Sequence, residues 1–235
     1  MQGIFRYAHE SEKVPKGFRF VKCGAHHGRN GYGMLVKEFD MADNREKDDF
    51  YPTPPYATEA LMNHCTWLDS GFPHKFDYDY WEPACGDGAI SKVLEEAGYR
   101  VYSTDLIDRG YGESGVDFLL ETKIRAPWIV TNPPYKLANE FVKHAQWLVD
   151  SDPDADGHAM LLRLAFLEGQ KRYEEIFSKF PPSHVYVFSK RLTMIRGDHD
   201  KAWYGSGKMA FAWFVWERTD KWHSSNKTEM HWIND

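Results

Sequence analysis

The 235-residue chain is predicted to fold as an α/β protein with a mainly parallel sheet and helices on both faces. From residue 50 onward, short apolar strands alternate with amphipathic helical segments, which is the pattern of β–α units. Several of the predicted strands end in a polar residue or a glycine. Because the carboxyl ends of parallel strands meet at one edge of such a sheet, this edge is expected to bind a ligand.

Hydrophobic periodicity predicts the elements in order, beginning with a helix that starts near Pro55. Three further helices are predicted, at 88–99, 138–149 and 169–180. The predicted strands are 75–83, 100–106, 116–119, 128–131, 158–164, 184–189 and 208–217. The last of these is long and aromatic, and suits an antiparallel strand that completes a sheet of seven.

The chain is divided by its pattern into an N-terminal arm at 1–48, the α/β domain at 49–220 and a C-terminal tail at 221–235. The arm is predicted to be rich in loops because it contains a glycine-rich stretch at 24–33 and a charged run at 41–49. No internal repeat is present.

Composition narrows the class of protein. Three scattered cysteines favour reduced thiols over a disulfide framework. The N-terminus has no apolar signal region and no stretch of 18 apolar residues occurs, so a cytoplasmic protein without a membrane span is expected. The net charge of −6 argues against non-specific coating of nucleic acid, but it allows an enzyme with a local basic face.

The first informative strand end is EPACGDG at 82–88, where Gly86 and Gly88 allow a tight turn and close backbone approach to a ligand. The turn lacks the GxGxxG spacing of pyrophosphate-binding loops. About 20 residues later, Asp105 ends the next strand, where an acid can accept hydrogen bonds from both hydroxyls of a ribose. Asp117 and Phe118 follow, and could bind an adenine. Taken singly, the glycine turn is more often an ordinary turn, and each acid is equally well explained as a surface residue.

Residues 128–135 read WIVTNPPY, a strand that stops at an Asn. The lone pair of an adenine amine is conjugated to the ring, so the amine attacks a methyl group only if its N–H bonds are held and its nitrogen is bent out of plane. The Asn132 side-chain oxygen and the Pro133 carbonyl can accept those two N–H bonds. Pro133 and Pro134 fix the backbone, and Tyr135 offers a face for stacking a base. The alternative is a rigid turn.

Together, these strand ends resemble the class I S-adenosylmethionine-dependent methyltransferases, and specifically the DNA adenine-N6 type, over residues 50–217. The resemblance implies S-adenosyl-L-methionine as cofactor and a Rossmann-like, seven-stranded sheet. It assigns catalysis to Asn132, Pro133, Pro134 and Tyr135. It assigns cofactor binding to Tyr51, Thr53, Pro54, Glu82, Ala84, Gly86, Gly88, Asp105, Leu106, Asp117 and Phe118.

The chain is too short for the separate recognition domain of larger members of this family, so short loops, the arm or a partner would choose the sequence. This brevity resembles a phage, prophage or restriction–modification enzyme. The best local basic surface is 189–208, where Lys190, Arg191, Arg196 and Lys208 are candidates to contact the DNA backbone. An ordinary charged loop explains them equally well.

Other substrates stay open. Adenine-N6 in RNA, glutamine-N5 in protein and a small molecule present the same kind of nitrogen, and a binding subunit could keep the fold without activity. The histidines show no metal-binding motif, so no metal is predicted. Cys85 is predicted to be a packed residue rather than a nucleophile. Arg163 is predicted either to face the active cleft or to form a structural salt bridge.

Overall fold

The structure is a computed structural model that describes residues 5–9, 13, 18–22, 32–37, 50–65, 75–194, 209–218 and 227–234. The chain forms two compact units, Met1–Glu46 and Lys47–Asp235. Among the described residues, no helix is both long enough and apolar enough to cross a membrane.

The first unit contains a three-stranded antiparallel sheet, where the sequence predicted mainly loops. Its strands are β1 (Phe5–His9), β2 (Phe18–Lys22) and β3 (Tyr32–Lys37), and β3 lies in the centre. Each strand has only five or six residues and is flanked by charged or glycine-rich sequence. The β-forming runs are therefore too short to stand out from their surroundings.

The second unit is built on an eight-stranded sheet in the order β11-β9-β10-β8-β7-β4-β5-β6. Strand β10 runs antiparallel to both of its neighbours, and the other pairings are parallel. The strands are β4 (Tyr80–Glu82), β5 (Val101–Asp105), β6 (Glu113–Ser114), β7 (Trp128–Thr131), β8 (Gly157–Arg163), β9 (His184–Phe188), β10 (Phe211–Glu217) and β11 (Glu229–Ile233).

Helices cover both faces of this sheet. They are α1 (Pro55–His64), α2 (Ser91–Glu96), α3 (Ala138–Ser151) and α4 (Gln170–Arg172), which continues as a π-helical turn at Tyr173–Phe177. Residues of α1 and α2 pack in one apolar layer with alternate residues of β7, β8 and β10, and α3 packs in the other layer. The predicted α/β class with a mainly parallel sheet is confirmed.

Three details differ from the sequence prediction. The sheet has eight strands rather than seven, because part of the predicted tail forms β11 parallel to β9. The antiparallel strand is β10, as predicted, but it is not the last strand of the chain. The strand predicted at 116–119 is instead a 3-10 turn at Phe118–Leu120, because the Asp117 side chain accepts a hydrogen bond from the backbone N–H of Leu119.

The centre of the sheet sets the position of the site. Strand β7 is buried on both faces, as its unbroken apolar run predicts. Connections lead from β4 outward to β5 and β6 on one side, and from β7 to β8 on the other. The chain therefore changes direction between β4 and β7, which is where open α/β sheets leave a crevice at the carboxyl ends of their strands.

Candidate active site

A cavity of about 390 Å³ lies at this carboxyl edge. It is called the glycine-turn cavity here, and its size is in the range of small-molecule sites. The loops that follow β4, β5, β6 and β7 contribute to its wall. Its lining includes Phe50, Tyr51, Thr53, Glu82, Ala84, Gly86, Asp105, Leu106, Arg109, Asp117, Phe118, Asn132, Pro134, Lys136 and Phe141.

The turn after β4 is held to the end of β5. The backbone N–H of Cys85 donates to the carbonyl of Thr104 at 3.0 Å, and the N–H of Gly86 donates to Asp105 Oδ2 at 2.8 Å. Gly86 has φ of 58°, in the left-handed region. A Cβ at this position would lie 2.4 Å from the Phe50 ring, so the turn also needs glycine for close packing.

Asp105 is oriented by backbone donors on both of its carboxylate oxygens. Besides Gly86, the N–H of Ile107 donates to Oδ1 at 2.8 Å. A carboxylate can accept about four hydrogen bonds, so capacity for a ligand remains. The exposed side chains of Leu106 and Ile107 supply apolar surface directly beside this acid.

Glu82 is buried behind the same turn. Its carboxyl accepts hydrogen bonds from the N–H of Ser91 at 2.8 Å and from the Ser91 hydroxyl, which also contacts the Ser103 hydroxyl at 2.7 Å. Burial raises the pKa of Glu82 well above its usual value. The two hydrogen bonds from Ser91 lower the pKa of Glu82, but by less than burial raises it. This carboxyl therefore favours its neutral form over an unusually wide pH range.

The neighbouring thiol is packed inside the turn. Burial, together with the nearby acids Glu82 and Asp105, raises the pKa of Cys85 to about 12. A thiol with so high a pKa carries almost no thiolate at neutral pH. Cys85 is therefore suited to packing rather than to nucleophilic attack.

Asp117 and Phe118 are more structural than the sequence suggests. One oxygen of Asp117 accepts the N–H of Leu119 at 3.0 Å and begins the 3-10 turn. The Phe118 ring is buried and packs against Trp81 and Phe141, with ring centroids 5.3 and 4.9 Å away. Both residues line the cavity, but Phe118 is held mainly by the core.

Asn132 follows β7 and is fixed by the segment before α1. Its side-chain nitrogen donates to the carbonyl of Tyr51 and to the Thr53 hydroxyl, both at 3.1 Å. Because a backbone carbonyl can only accept, the amide nitrogen must face Tyr51, which fixes the orientation of the amide. Its oxygen, Oδ1, is buried and has no hydrogen-bond partner among the described residues. Such a buried acceptor is costly unless a ligand pairs with it.

Tyr135 already has several ring contacts. Its ring stacks on Tyr51, with centroids 5.6 Å apart and planes inclined by 23°. It also packs against Phe211 at 5.8 Å, and the Arg163 guanidinium carbon lies 4.3 Å from its centroid. A base that stacks on Tyr135 would therefore have to replace one of these contacts.

Arg163 ends β8 beside a second cavity of about 290 Å³, called the Arg163 cavity here. Its Nε is buried and has no hydrogen-bond partner within the described part of the chain. Lys136 and Arg172 also line this cavity, and Lys136 lines the glycine-turn cavity as well. Arg172 is engaged by Asn139 and by backbone carbonyls. Arg163 therefore lines this second cavity and not the glycine-turn cavity.

Some predicted site residues lie away from the glycine-turn cavity. Pro54 precedes α1 and accepts the N–H of Ala57 at 2.9 Å. Gly88 lies beneath the Tyr111 ring rather than at the cavity wall. Pro133 is buried next to Asn132.

The predicted DNA-contacting residues are only partly described. Lys190 and Arg191 are exposed just after β9. Arg196 and Lys208 lie outside the described residues, as does most of the basic segment.

Sequence reasoning missed several lining residues. Phe50 covers the glycine turn, and the Arg109 guanidinium carbon lies 4.1 Å from its ring centroid. Lys136 directly follows the Asn-Pro-Pro-Tyr sequence and could have been found from that position. Phe50 and Arg109 carried no comparable signal, because their contacts join distant parts of the chain.

No family model matches the chain, and no curated protein matches it. Among solved structures, it is similar to a Pyrococcus abyssi tRNA (uracil-54, C5)-methyltransferase in complex with S-adenosyl-L-homocysteine. That likeness has 13% identity and a TM-score of 0.43, and covers 85% of this chain but only 50% of the other. The chain thus spans half the length of that protein.

A second likeness is to a proposed methyltransferase from Thermoplasma acidophilum, with 12% identity and a TM-score of 0.34. It covers 67% of this chain and 72% of the other. With TM-scores below 0.5, neither likeness decides the fold or the chemistry, which rest on the contacts given above.

Proposed function

We propose that this protein transfers a methyl group from S-adenosyl-L-methionine to the N6 amine of adenine in DNA. The observation that carries the proposal is Asn132, whose amide is anchored through nitrogen so that its unpaired oxygen is held at the end of β7. An acceptor held in this way is suited to an N–H group of a substrate.

The glycine-turn cavity fits the cofactor in size and in its donor set. Asp105 would accept the two ribose hydroxyls, and Leu106 and Ile107 would contact the adenine ring. Asp117 keeps acceptor capacity for the adenine amine. The backbone of the Gly86 turn would approach the methionine portion, which Glu82, Ala84 and Tyr51 would border. When bound, the cofactor supplies an electrophilic methyl group.

The substrate amine would be held by two acceptors, Asn132 Oδ1 and the carbonyl of Pro133. Both accept hydrogen bonds from the N–H groups of the amine. They therefore favour a nitrogen whose lone pair is turned out of the ring plane toward the methyl carbon. Asn132 Oδ1 and the Pro133 carbonyl would thus hold the amine nitrogen facing the methyl carbon that the cofactor would supply, and the proton displaced by methylation would pass to water. No acid–base side chain is required.

Adenine in a duplex cannot reach this position inside the stack. The base would be extruded, or taken from a single strand, and stacked on Tyr135 in place of Tyr51 or Arg163. Lys136 and Arg163 supply positive charge beside it for the flanking phosphates. Lys190, Arg191, Arg196 and Lys208 belong to the same proposal as backbone contacts. A partner could supply sequence recognition. A phage or restriction–modification role is likewise part of the proposal.

The test is methyl transfer from labelled S-adenosyl-L-methionine to double-stranded DNA, single-stranded DNA, RNA and a protein extract in parallel. Asn132→Ala is expected to lower turnover by about 10²–10³-fold, comparable to the loss of one preorganised polar contact in other active sites. Its affinity for S-adenosylhomocysteine should stay close to that of the wild type. The matched control is Asn63→Ala, at an exposed position on α1.

The outcomes separate the candidates. N6-methyladenine in DNA that disappears in Asn132→Ala supports the proposal in full. Label in RNA or in glutamine keeps the role of Asn132 and replaces the substrate. Cofactor binding without transfer to any substrate favours a binding subunit, and an Asn132→Ala variant as active as the wild type removes the mechanism.

A further inference from the structure

Four ionisable side chains meet on one face of the sheet at the edge formed by β11, β9 and β10. Parallel pairing places Glu229 beside His184 and His231 beside Tyr186. Glu217 comes from β10, two residues after Val215, which pairs with His184. Because side chains alternate between faces along a strand, Glu229, His231, His184 and Glu217 share one face.

Three atoms of this group form a compact triangle. His184 Nδ1 lies 3.1 Å from His231 Nε2 and 3.7 Å from Glu229 Oε2, and His231 Nε2 lies 3.8 Å from the same oxygen. A triangle with these edges has a circumradius of about 2.1 Å, which matches Zn–N and Zn–O bonds of about 2.0–2.2 Å. The three atoms are therefore already at the separation that one metal ion requires.

The fourth residue supports the same interpretation. His184 Nε2 lies 3.5 Å from Glu217 Oε2, and the side chain of Glu217 is only 17% exposed. A carboxylate near this nitrogen favours a proton on Nε2, which leaves the lone pair on Nδ1, one of the three atoms of the triangle. Metal-binding histidines are commonly oriented by a carboxylate in this way.

We propose that His184, Glu229 and His231 bind one divalent transition-metal ion, with Zn²⁺ as the best match. Two imidazole nitrogens and a carboxylate oxygen are ligands that Zn²⁺ accepts, and water would complete a tetrahedron. Glu217 orients His184 and is not a ligand. The site lies outside both cavities and does not depend on the proposed methyl transfer.

The ion would secure the edge strand. Of the five residues of β11, only Ile233 is buried, so apolar packing does little to hold this strand against β9. Glu229 and His231 belong to β11 and His184 to β9. One metal ion therefore joins the two strands directly, and its binding free energy adds to the stability of the pairing.

No sequence motif points to this site. His184 and His231 are 47 positions apart, so no short ligand spacing occurs. Within the described residues, the donor atoms of His184, Glu229 and His231 all lie within 4.8 Å of one another, which is close enough to bind one ion.

The test uses the full chain, stripped of metal with a chelator and then given Zn²⁺ alone. One equivalent of Zn²⁺ per chain is expected to survive gel filtration, and Co²⁺ in its place should show the visible absorption of a tetrahedral site. His231→Gln is expected to weaken Zn²⁺ by at least about 100-fold, and Glu217→Gln by about 10–100-fold, the usual cost of losing an orienting carboxylate. His64→Gln, on α1, is the matched control and should bind like the wild type.

A second measurement covers the chance that a variant folds poorly. Zn²⁺ should raise the thermal unfolding midpoint of the wild type and of His64→Gln, but not that of His231→Gln. His231 lies half-exposed on an edge strand, so Gln is expected to be tolerated there. Equal Zn²⁺ affinity in wild type and His231→Gln, or a wild type that retains no Zn²⁺, overturns the proposal.

Discussion

The two ends of the glycine-turn cavity differ in how their polar atoms are satisfied. At the glycine turn, Asp105 accepts two backbone N–H groups and Glu82 accepts two hydrogen bonds from Ser91. At the other end, Asn132 Oδ1 and, in the adjoining cavity, Arg163 Nε are buried and lack hydrogen-bond partners among the described residues. At the first end, which is called the frame here, the acidic side chains already have hydrogen-bond partners. The Asn132 end leaves polar atoms available to a ligand.

This difference separates two ways of preparing a site. Hydrogen bonds within the chain fix the position of a group such as Asp105 before a ligand arrives. An unpaired buried atom costs about 1–3 kcal/mol in the folded protein, so a chain that keeps one is expected to recover that cost on binding. We therefore expect substitutions at the glycine turn to change binding of the cofactor, and substitutions around Asn132 to change the rate.

The largest effect in this comparison is expected for Asp105→Ala. Hydrogen bonds to a charged acceptor are each worth about 1.5–3 kcal/mol, so losing two ribose contacts should weaken cofactor binding by about 100-fold or more. The substitution also leaves the N–H groups of Gly86 and Ile107 without their acceptor, so the free energy of unfolding should fall. Calorimetric titration with S-adenosylhomocysteine measures the first effect, and urea denaturation the second.

Asp108→Ala is the matched control for Asp105. Asp108 is exposed in the same loop and accepts one backbone N–H, from Gly110 at 2.9 Å, but it does not line the cavity. The affinity of the Asp108→Ala variant for S-adenosylhomocysteine should equal that of the wild type. If both variants bind equally well, Asp105 serves only to shape the turn, and the proposed ribose contact is wrong.

A smaller and purely kinetic effect is expected for Thr53→Val. The Thr53 hydroxyl is one of two acceptors for the Asn132 amide nitrogen. Replacing it with a methyl group removes one hydrogen bond that positions Asn132, worth about 1 kcal/mol. This loss should lower kcat by roughly 5- to 10-fold, while cofactor affinity changes little. Single-turnover kinetics separate this effect from binding.

Thr58→Val is the control for that change. Thr58 is buried on α1, and its hydroxyl has no hydrogen-bond partner in the described part of the chain. The same loss of a hydroxyl should therefore leave kcat unchanged and stability unchanged or improved. A Thr53→Val variant with a normal kcat but weaker cofactor binding would assign Thr53 to the frame instead.

The strand-end residues at both ends of the cavity were predictable from the sequence. Asp105 and Gly86 stand at strand ends that the alternation of strands and helices locates, and the topology of parallel sheets brings them together. Asn132 was found in the same way, from a buried strand that ends in Asn-Pro-Pro-Tyr. These residues are identified by the few positions around them, so the amino-acid sequence alone is enough to predict them.

Other features depend on contacts between distant residues. The anchoring of Asn132 by Tyr51 and Thr53 crosses about 80 positions, and the Arg163 contact with Tyr135 joins the end of β8 to the 3-10 turn after β7. Strand β11 reads Glu-Met-His-Trp-Ile, an alternation of polar and apolar residues too short to mark a strand, and only Ile233 is buried. No spacing rule reports these contacts, because they are set by packing of the whole sheet.

The smallest effect on transfer is expected for Glu82→Gln. This substitution tests whether the Glu82 carboxyl is neutral in the folded protein. Burial raises the pKa of Glu82 in the folded protein above its unfolded value, so the folded state holds the proton to higher pH. Stability from this group is complete below the ordinary value of about 4.5 and is lost as the pH rises toward the raised pKa. Gln cannot ionise and should remove that loss.

Urea denaturation of both proteins at pH 5 and pH 8 isolates this one carboxyl, because the remaining groups contribute equally to each. The stability of Glu82→Gln relative to the wild type should be greater at pH 8 than at pH 5. A difference that does not change with pH would mean that Glu82 titrates at its ordinary pKa. The carboxyl would then be charged behind the Gly86 turn, and the frame would carry a second negative charge beside Asp105 that a cationic ligand could pair with.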